Sequence, residues 1–294
     1  MLSVYPVTIQ RIIIEKIILV RLSFFIGIFL LLQTPSFEQT SDSLRREAAE
    51  HFVFLGSHFS FSVIPYLSQK AKISKQSGNY SPGSTTMHGI EGGVNYHINF
   101  TKDFSLITGF HVGACSRNYT LYIPKEQYTP ALMFDVGDNG AITREFDFYI
   151  SAPVWFEKRW QSKNNNHWNV FGGINLRYYP GELADETVSV YPDINGKEVE
   201  VFTLDLTIGH NNKPWINYNL GGGYSFLLRN YNFLRVNLLG NFSDTKLVRG
   251  NYKVLVTGGQ NTAGTYSASL GYLGLSIEYI FTRTKKHLRR LELK

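Results

Sequence analysis

The stretch Gly271-Tyr-Leu-Gly-Leu-Ser-Ile-Glu-Tyr-Ile-Phe281 sorts its side chains by parity into two kinds. The odd positions from Leu273 to Phe281 are apolar, whereas the even positions Gly274, Ser276 and Glu278 are small or polar. Alternate side chains of a strand point to opposite faces of the sheet, and a tilted strand of about 10 residues can cross a bilayer. The stretch therefore predicts a strand with one apolar and one polar face.

The same alternation recurs in seven segments upstream of this stretch, and no helical period of comparable length competes with it. The segments are 52–67, 90–100, 104–118, 145–160, 167–179, 215–228 and 233–243. Together with the closing strand they predict an all-β chain with eight antiparallel strands in an up-and-down order.

The connections between the segments alternate strictly in length. Three are short polar turns, at 101–103, 162–166 and 229–232, and four are long, at 70–86, 119–144, 180–214 and 244–264. An even strand count places both ends of the barrel on the side of the short turns. Short periplasmic turns opposite long outer loops are typical of an outer-membrane β-barrel, so we predict a transmembrane barrel over residues 51–281.

A water-soluble lipocalin-like barrel would alternate in the same way, with its apolar face around a cavity and its polar face in water. Here the polar face is rich in Gly, Asn and Ser and carries few charges, which favours a narrow lumen packed by side chains. Aromatic residues such as Phe100, Phe156 and Trp168 stand beside the short turns on the apolar face, where an interfacial belt belongs. We expect the apolar face to contact lipid, and the exported soluble carrier is the alternative.

Charge and composition exclude several classes. The net charge of +6 comes from the ends, because residues 282–294 carry +5 and residues 1–36 carry +2; subtracting both from +6 leaves −1 for 37–281. This distribution does not indicate a nucleic-acid partner. A single cysteine, Cys115, excludes an intramolecular disulfide and a Cys-based zinc site. A mean hydropathy of −0.14 argues against a polytopic helical membrane protein, and no pattern indicates a cofactor.

The N-terminal region has the features of a secretory signal. Arg11, Lys16 and Arg21 precede the apolar run 24–32, and Thr34-Pro-Ser36 offers small residues for cleavage. A transmembrane anchor is the alternative, but the run is short for a span and Pro35 follows it. We expect a signal peptide over 1–36, a short periplasmic leader over 37–50 and a basic periplasmic tail over 282–294. That tail could contact anionic headgroups or a periplasmic partner.

The chain resembles the small outer-membrane β-barrel domain family of Gram-negative envelopes, of the OmpA/OmpX-type and PorT-like kind, over roughly 51–281. The resemblance lies in the signal, the eight strands, the loop asymmetry and the ending Gly274-Leu-Ser-Ile-Glu-Tyr-Ile-Phe281. It implies a porin-like fold in the cell outer membrane, outer-membrane lipid as surroundings and the barrel-assembly machinery as a partner. Chains of this family usually stop at the final aromatic residue, whereas thirteen residues follow Phe281 here.

The polar face predicts a network of lumen side chains with mixed charges. Its members are His58, Glu91, His97, His111, Arg117, Asp147, Glu157, Arg159, Arg177, Arg235 and Glu278. Buried charges persist only when they are paired or hydrogen-bonded, so a structural network is the main interpretation. A proton path or a site with a perturbed histidine is the alternative.

Function is expected in the long loops 119–144 and 180–214, which exceed what a hairpin requires. Their candidate binding residues are Tyr128, Phe134, Tyr191 and Phe202, and the run Lys197–Ile208 alternates like an extended strand pair. We predict a non-enzymatic barrel that presents these loops to an extracellular or envelope protein, or that serves an envelope or secretion complex. A barrel enzyme acting on outer-leaflet acyl chains is the alternative, although the chain has no Gly-x-Ser-x-Gly or His-Glu-x-x-His motif.

Overall fold

The computed structural model describes residues 56–120 and 141–282, with gaps at 79, 81, 85, 163–165, 181–182, 192, 195, 229 and 256–260. The predicted signal peptide and leader, and the predicted tail beyond Thr282, lie outside the described residues. Within these ranges no helix has the length and apolar character needed to cross a membrane.

The described chain contains fifteen strands. They are β1 (Ser57–Ser68), β2 (Lys72–Ser77), β3 (Met87–Asn99), β4 (Phe104–Thr120), β5 (Ala141–Gln161), β6 (His167–Tyr178), β7 (Ala184–Val190), β8 (Asp193–Ile194), β9 (Lys197–Glu198), β10 (Phe202–Ile208), β11 (Trp215–Leu227), β12 (Phe233–Phe242), β13 (Lys246–Val254), β14 (Thr262–Ser269) and β15 (Tyr272–Phe281).

Eight strands close into an antiparallel barrel in the order β1-β15-β12-β11-β6-β5-β4-β3. Strand β1 closes it by pairing with both β15 and β3, so that Ser62 stands opposite Glu278 on one side and Gly93 on the other. Each of these strands coincides with a segment predicted from alternation. The prediction of an eight-stranded antiparallel barrel is confirmed.

The five remaining longer strands form a second sheet in the order β2-β14-β13-β10-β7. Each is the chain neighbour of a barrel strand, and the order matches that of the barrel strands β1, β15, β12, β11 and β6. The sheet therefore continues this part of the barrel wall on the side of the long connections. Describing 70–86 and 244–264 only as loops was wrong, because β2, β13 and the start of β14 lie within them.

One face of this sheet is apolar and buried. Phe202, Leu204, Leu206 and Ile208 of β10 all lie on it, and the intervening Asp205 is exposed on the other face. Strands β13 and β14 extend the same face with Val248, Tyr252, Val254, Tyr266 and Ala268. These side chains form one hydrophobic cluster with apolar residues of the adjacent barrel end, including Tyr66, Trp215 and Tyr272. The sheet is thus anchored by its own core.

Candidate functional site

The outside of the barrel is a continuous apolar surface. Large apolar side chains are exposed on every barrel strand, among them Phe59, Val94, Phe110, Phe148, Leu220 and Leu275. The side chains that alternate with them are buried and largely polar. This arrangement is the inverse of a soluble lipocalin-like carrier, whose apolar face lines the cavity, so that alternative is wrong. An apolar exterior around a polar lumen fits a bilayer.

The lumen near the second sheet is organised by Glu91, which is completely buried on β3. Its carboxylate pairs with Arg177 Nη2 at 2.8 Å and accepts the hydroxyls of Tyr149 at 2.9 Å and Tyr272 at 3.0 Å. The Arg177 guanidinium also lies 4.4 Å from the Tyr149 ring centroid. Four barrel strands, β3, β5, β6 and β15, are therefore joined at one carboxylate.

His111 connects this cluster to the middle of the lumen. Its Nδ1 lies 3.0 Å from Glu91 Oε1, and its Nε2 lies 2.7 Å from Asn95 Oδ1. The Asn95 amide orientation is fixed because Nδ2 donates to Glu278 Oε1 at 2.9 Å. Both atoms facing the imidazole are therefore acceptors. His111 is held between the Glu91 carboxylate and the Asn95 amide oxygen.

A second cluster occupies the lumen toward the short turns. Arg235 bridges two carboxylates, with Nη2 2.7 Å from Glu157 Oε1 and Nη1 3.3 Å from Glu278 Oε2. Glu157 also pairs with Arg159 at 3.0 Å, and Glu278 accepts from His97 Nε2 at 3.0 Å. The two clusters are joined through Asn95, so the network runs along most of the lumen.

The described lumen is filled and nearly balanced in charge. Its buried arginines and glutamates are three of each: Arg159, Arg177, Arg235, Glu91, Glu157 and Glu278. The arginines are among the largest fully buried side chains of the protein. An eight-stranded barrel has an interior just wide enough for side chains, and these side chains occupy it.

The group Ser62, His111 and Glu91 has the connectivity of a hydrolase triad, since Ser62 Oγ lies 3.3 Å from His111 Nε2 and Glu91 lies at Nδ1. A triad histidine must accept the serine proton at Nε2. Here that nitrogen donates its own proton to Asn95, at a shorter distance. All three residues are buried in the lumen, away from acyl chains. The arrangement serves the network rather than catalysis.

A second serine, histidine and carboxylate group has different geometry. His97 uses one nitrogen, Nε2, for both Ser60 Oγ and Glu278 Oε1, each at 3.0 Å. Ser60 also donates directly to Glu278. A carboxylate that shares the nitrogen of the serine cannot orient the imidazole as a triad acid does. Neither group supports the lipid-acting enzyme.

The structure places the other predicted residues as follows. His58 is buried in the lumen, and the backbones of Arg117 and Asp147 lie in β4 and β5. Tyr191 is exposed and donates to Glu200 Oε1 at 3.2 Å. Tyr128 and Phe134 lie outside the described residues. The prediction that Phe202 offers an exposed side chain for binding was wrong: its relative exposure is 0%, because the side chain lies on the buried apolar face of the second sheet.

Sequence reasoning missed the tyrosines that complete the Glu91 cluster. Tyr149 and Tyr272 donate to the carboxylate. The Tyr66 hydroxyl lies 3.0 Å from that of Tyr149, and the Tyr66 ring stacks on Tyr272 at 4.1 Å. Each shares its strand parity with polar lumen residues, so parity was the available signal.

The sequence matches no protein-family model and no curated protein. Among solved structures, the outer membrane protein OprG from Pseudomonas aeruginosa is 11% identical, with a TM-score of 0.37, and the match covers 77% of this chain and 96% of that one. The outer membrane protein AlkL is 11% identical, with a TM-score of 0.35, over 85% and 97% of the two chains. Neisserial surface protein A is 13% identical, with a TM-score of 0.29, over 76% and 97%.

The closed ladder, the apolar exterior and the polar lumen define the class of the protein. Only helices and closed barrels satisfy every backbone polar group in hydrocarbon, and the eight-stranded closure meets that condition. The protein is an outer-membrane β-barrel, located in the outer membrane. The finer OmpA/OmpX-type or PorT-like assignment stays a prediction.

Proposed function

We propose that the protein is a non-enzymatic outer-membrane barrel whose second sheet binds an extracellular or envelope protein. The barrel anchors the sheet, and the sheet presents the binding surface outside the membrane. The proposal retains the predicted export route, with a signal peptide over 1–36 and insertion by the barrel-assembly machinery.

The observation that carries this proposal is the fold of the long connections. Simple closure of an eight-stranded barrel requires only short loops, yet three of the connections contribute strands to a sheet with its own apolar core. The opposite face is polar and exposed, with Asp185 and Thr207, and Thr187 and Asp205, hydrogen-bonded in cross-strand pairs. A rigid polar surface costs little ordering entropy on binding.

The end of the β7–β10 hairpin is also ordered by side chains. Thr203, Ser189 and Tyr191 donate their hydroxyls to Glu200 at 2.7, 3.1 and 3.2 Å. These bonds, led by that from Thr203, lower the pKa of the Glu200 carboxyl. Tyr191 is thereby held in position on the exposed surface, as a binding residue requires.

The described edge strands of the sheet, β2 and β7, differ in their suitability for strand addition. β2 carries Lys72 and Lys75, and lysines on an edge strand discourage pairing. β7, Ala184–Val190, has no lysine or proline and carries Asp185 and Glu186. We therefore propose β7 as the strand to which an extended, basic segment of the partner adds.

The packed lumen favours this function over diffusion through the barrel. Paired arginines and glutamates fill the described interior, and opening a path would leave buried charges without partners. The proposal thus assigns the lumen a structural role and the second sheet the binding role.

The test replaces residues 183–212 with a short Gly/Asn turn and asks whether the variant complements a deletion strain. The barrel strands β6 and β11 end and begin outside this segment, so the barrel should still fold and remain heat-modifiable while complementation is lost. His111→Ala is the matched lumen variant and should complement if it reaches the membrane. Full complementation by the loop replacement, with loss in a folded His111→Ala protein, would move function to the lumen.

A further inference from the structure

On the outer face of the second sheet, cations of β2 and β13 lie on either side of β14. Lys72 of β2 and Arg249 of β13 stand opposite Ser267 of β14 from its two sides. Lys246 stands opposite Ser269, two residues along the same face of β14. Residues opposite one another in a sheet share a face, so the three cations surround two serine hydroxyls. We call these five residues the cationic patch.

The cationic patch lies just beyond the lipid-facing surface of the adjoining barrel strands β1, β15 and β12. Lys246 follows the exposed Phe242 by four residues, and Lys72 follows the exposed Leu67 by five. Residues 69–71 and 243–245 lie between strands, so a strand rise of about 3.3 Å per residue and a tilt of about 40° give an upper bound. These positions lie at most roughly 10–13 Å above the last lipid-facing side chain. Flexible lysine side chains can reach back toward the headgroup region, which extends several Å beyond the hydrocarbon.

The charges of the cationic patch are available for a ligand. Lys72, Lys246 and Arg249 are exposed, and within the described part of the chain none of them takes part in a salt bridge. Asp244 is the acidic residue nearest to Lys246 in sequence, and Lys70, two residues before Lys72, is a fourth exposed cation. With Asp205 of the neighbouring strand β10 included, these six ionisable residues carry a net charge of +2.

The opposite end of the sheet has the reverse character. Edge strand β7 carries Asp185 and Glu186. Strand β10, which pairs with β13, carries Asp205 two residues from Thr207, the residue opposite Arg249. The cations are thus concentrated on one side of the wall, above the barrel strands β1, β15 and β12, rather than spread around it. A one-sided cation cluster at a membrane surface is suited to an anionic headgroup.

We propose that the cationic patch binds the phosphate of a lipid headgroup in the outer leaflet. Lys72, Lys246 and Arg249 supply the positive charge, and Ser267 supplies a neutral donor between Lys72 and Arg249. The Ser269 hydroxyl donates to Gln69. A lipid is the occupant rather than a free anion because the patch is continuous with the surface that contacts acyl chains. One lipid can then occupy both surfaces, with its acyl chains on Leu67, Phe242 and Leu273 and its phosphate on the cationic patch.

The experiment measures binding of diphosphorylated lipid A to the detergent-purified full chain by native mass spectrometry. The patch variant carries Lys72→Gln, Lys246→Gln and Arg249→Gln. The matched control carries Lys75→Gln, Lys197→Gln and Lys253→Gln, which remove the same charge from exposed positions farther along the sheet and its hairpin. Heat-modifiable migration confirms that each variant is folded.

Each cation near an anionic membrane surface contributes roughly fivefold in affinity, so the patch variant should bind lipid A roughly 100-fold more weakly. The control should stay within about threefold of the parent protein, and dephosphorylated lipid A should bind the parent as weakly as lipid A binds the patch variant. The single change Lys72→Gln, on an exposed edge strand, should still weaken the binding of lipid A roughly fivefold. Equal losses in patch and control variants, equal binding of both lipids, or displacement of lipid A by millimolar inorganic phosphate would each overturn the proposal.

Discussion

Replacing Glu91 tests how strongly the lumen network stabilises the barrel. Its carboxylate is completely buried and accepts from Arg177, His111, Tyr149 and Tyr272 at 2.8–3.0 Å. Glu91→Leu keeps a side chain of similar size but leaves the Arg177 guanidinium buried without an anion. Removing one partner of a buried ion pair costs about 3–5 kcal/mol. We expect Glu91→Leu to lower the free energy of unfolding by an amount in this range.

Glu91→Gln should lower the stability less than Glu91→Leu does, because the amide can keep most of the hydrogen bonds. The amide oxygen can take the Oε2 position and accept from Arg177, Tyr149 and Tyr272. In the tautomer with its proton on Nε2, His111 can accept from the amide N–H at Nδ1, while Nε2 donates to Asn95. The loss is then mainly that of charge assistance, about 1–2 kcal/mol.

A double variant separates the ion pair from general packing. Glu91→Leu combined with Arg177→Met removes both charges, and paired apolar replacements are often close to neutral. It also leaves the Leu270 carbonyl without its Arg177 donor, so we expect the double variant to recover about 2 kcal/mol rather than the whole loss.

The assay is the urea dependence of folding into lipid vesicles, followed by tryptophan fluorescence and by the folded band in unboiled gels. Glu198→Gln, at an exposed position of β9, is the control and should change stability by less than about 0.5 kcal/mol. A Glu91→Leu protein less than about 1 kcal/mol weaker than the parent, with no coupling to Arg177→Met, would refute a stabilising role for this cluster.

Three further outcomes follow from the sequence and the fold. The mature protein should begin near Ser36 and fractionate with the outer membrane; an intact N-terminus by mass spectrometry would contradict the signal peptide. Unboiled protein should migrate differently from boiled protein in SDS gels, because the closed ladder has no open edge; identical migration together with a helical circular dichroism spectrum would contradict the barrel. Leu275→Arg, on the exposed face of β15, should lower the stability of the folded barrel by roughly 2–4 kcal/mol. Ser276→Arg should also lower the folding yield, because it overpacks the lumen. An unchanged yield for Leu275→Arg would be inconsistent with a lipid-facing side chain there.

The barrel could be predicted from sequence because its strands have two contrasting environments. Lipid on one side and a polar lumen on the other impose a period of two on each strand, as in β15, and the burial pattern repeats that period. Turn length then gave the topology, since the short connections 101–103 and 162–166 can only join neighbouring strands.

The second sheet was harder to predict because its strands β13 and β14 lack that contrast, although β10 shows it. In β13 the adjacent Leu247 and Val248 are both buried beside a register shift, which breaks the alternation. Strand β14, Thr-Ala-Gly-Thr-Tyr-Ser-Ala-Ser, is made of small and polar residues, and it is a strand only because β13 and β2 flank it. Phe202 was taken as exposed since its apolar partners lie on strands far along the chain.

Within the lumen, parity selects which residues face inward but not which of them meet. Glu91 and Arg177 are 86 residues apart, and they meet across the barrel because of the strand stagger that closes it. The Asn95 atom that faces His111 depends in turn on the Asn95 orientation, which Glu278 sets. Such information resides in the three-dimensional register alone.

The most direct test of a lipid-facing barrel with a packed polar lumen is a spin-label scan of β15 in lipid vesicles. Single cysteines at positions 273–278, placed in a Cys115→Ala background, allow the collision rate of each label with molecular oxygen to be measured. The structure predicts high rates at Leu273, Leu275 and Ile277 and low rates at Gly274, Ser276 and Glu278. A reversed alternation, or uniform rates along the strand, would contradict the assignment of the apolar face to lipid.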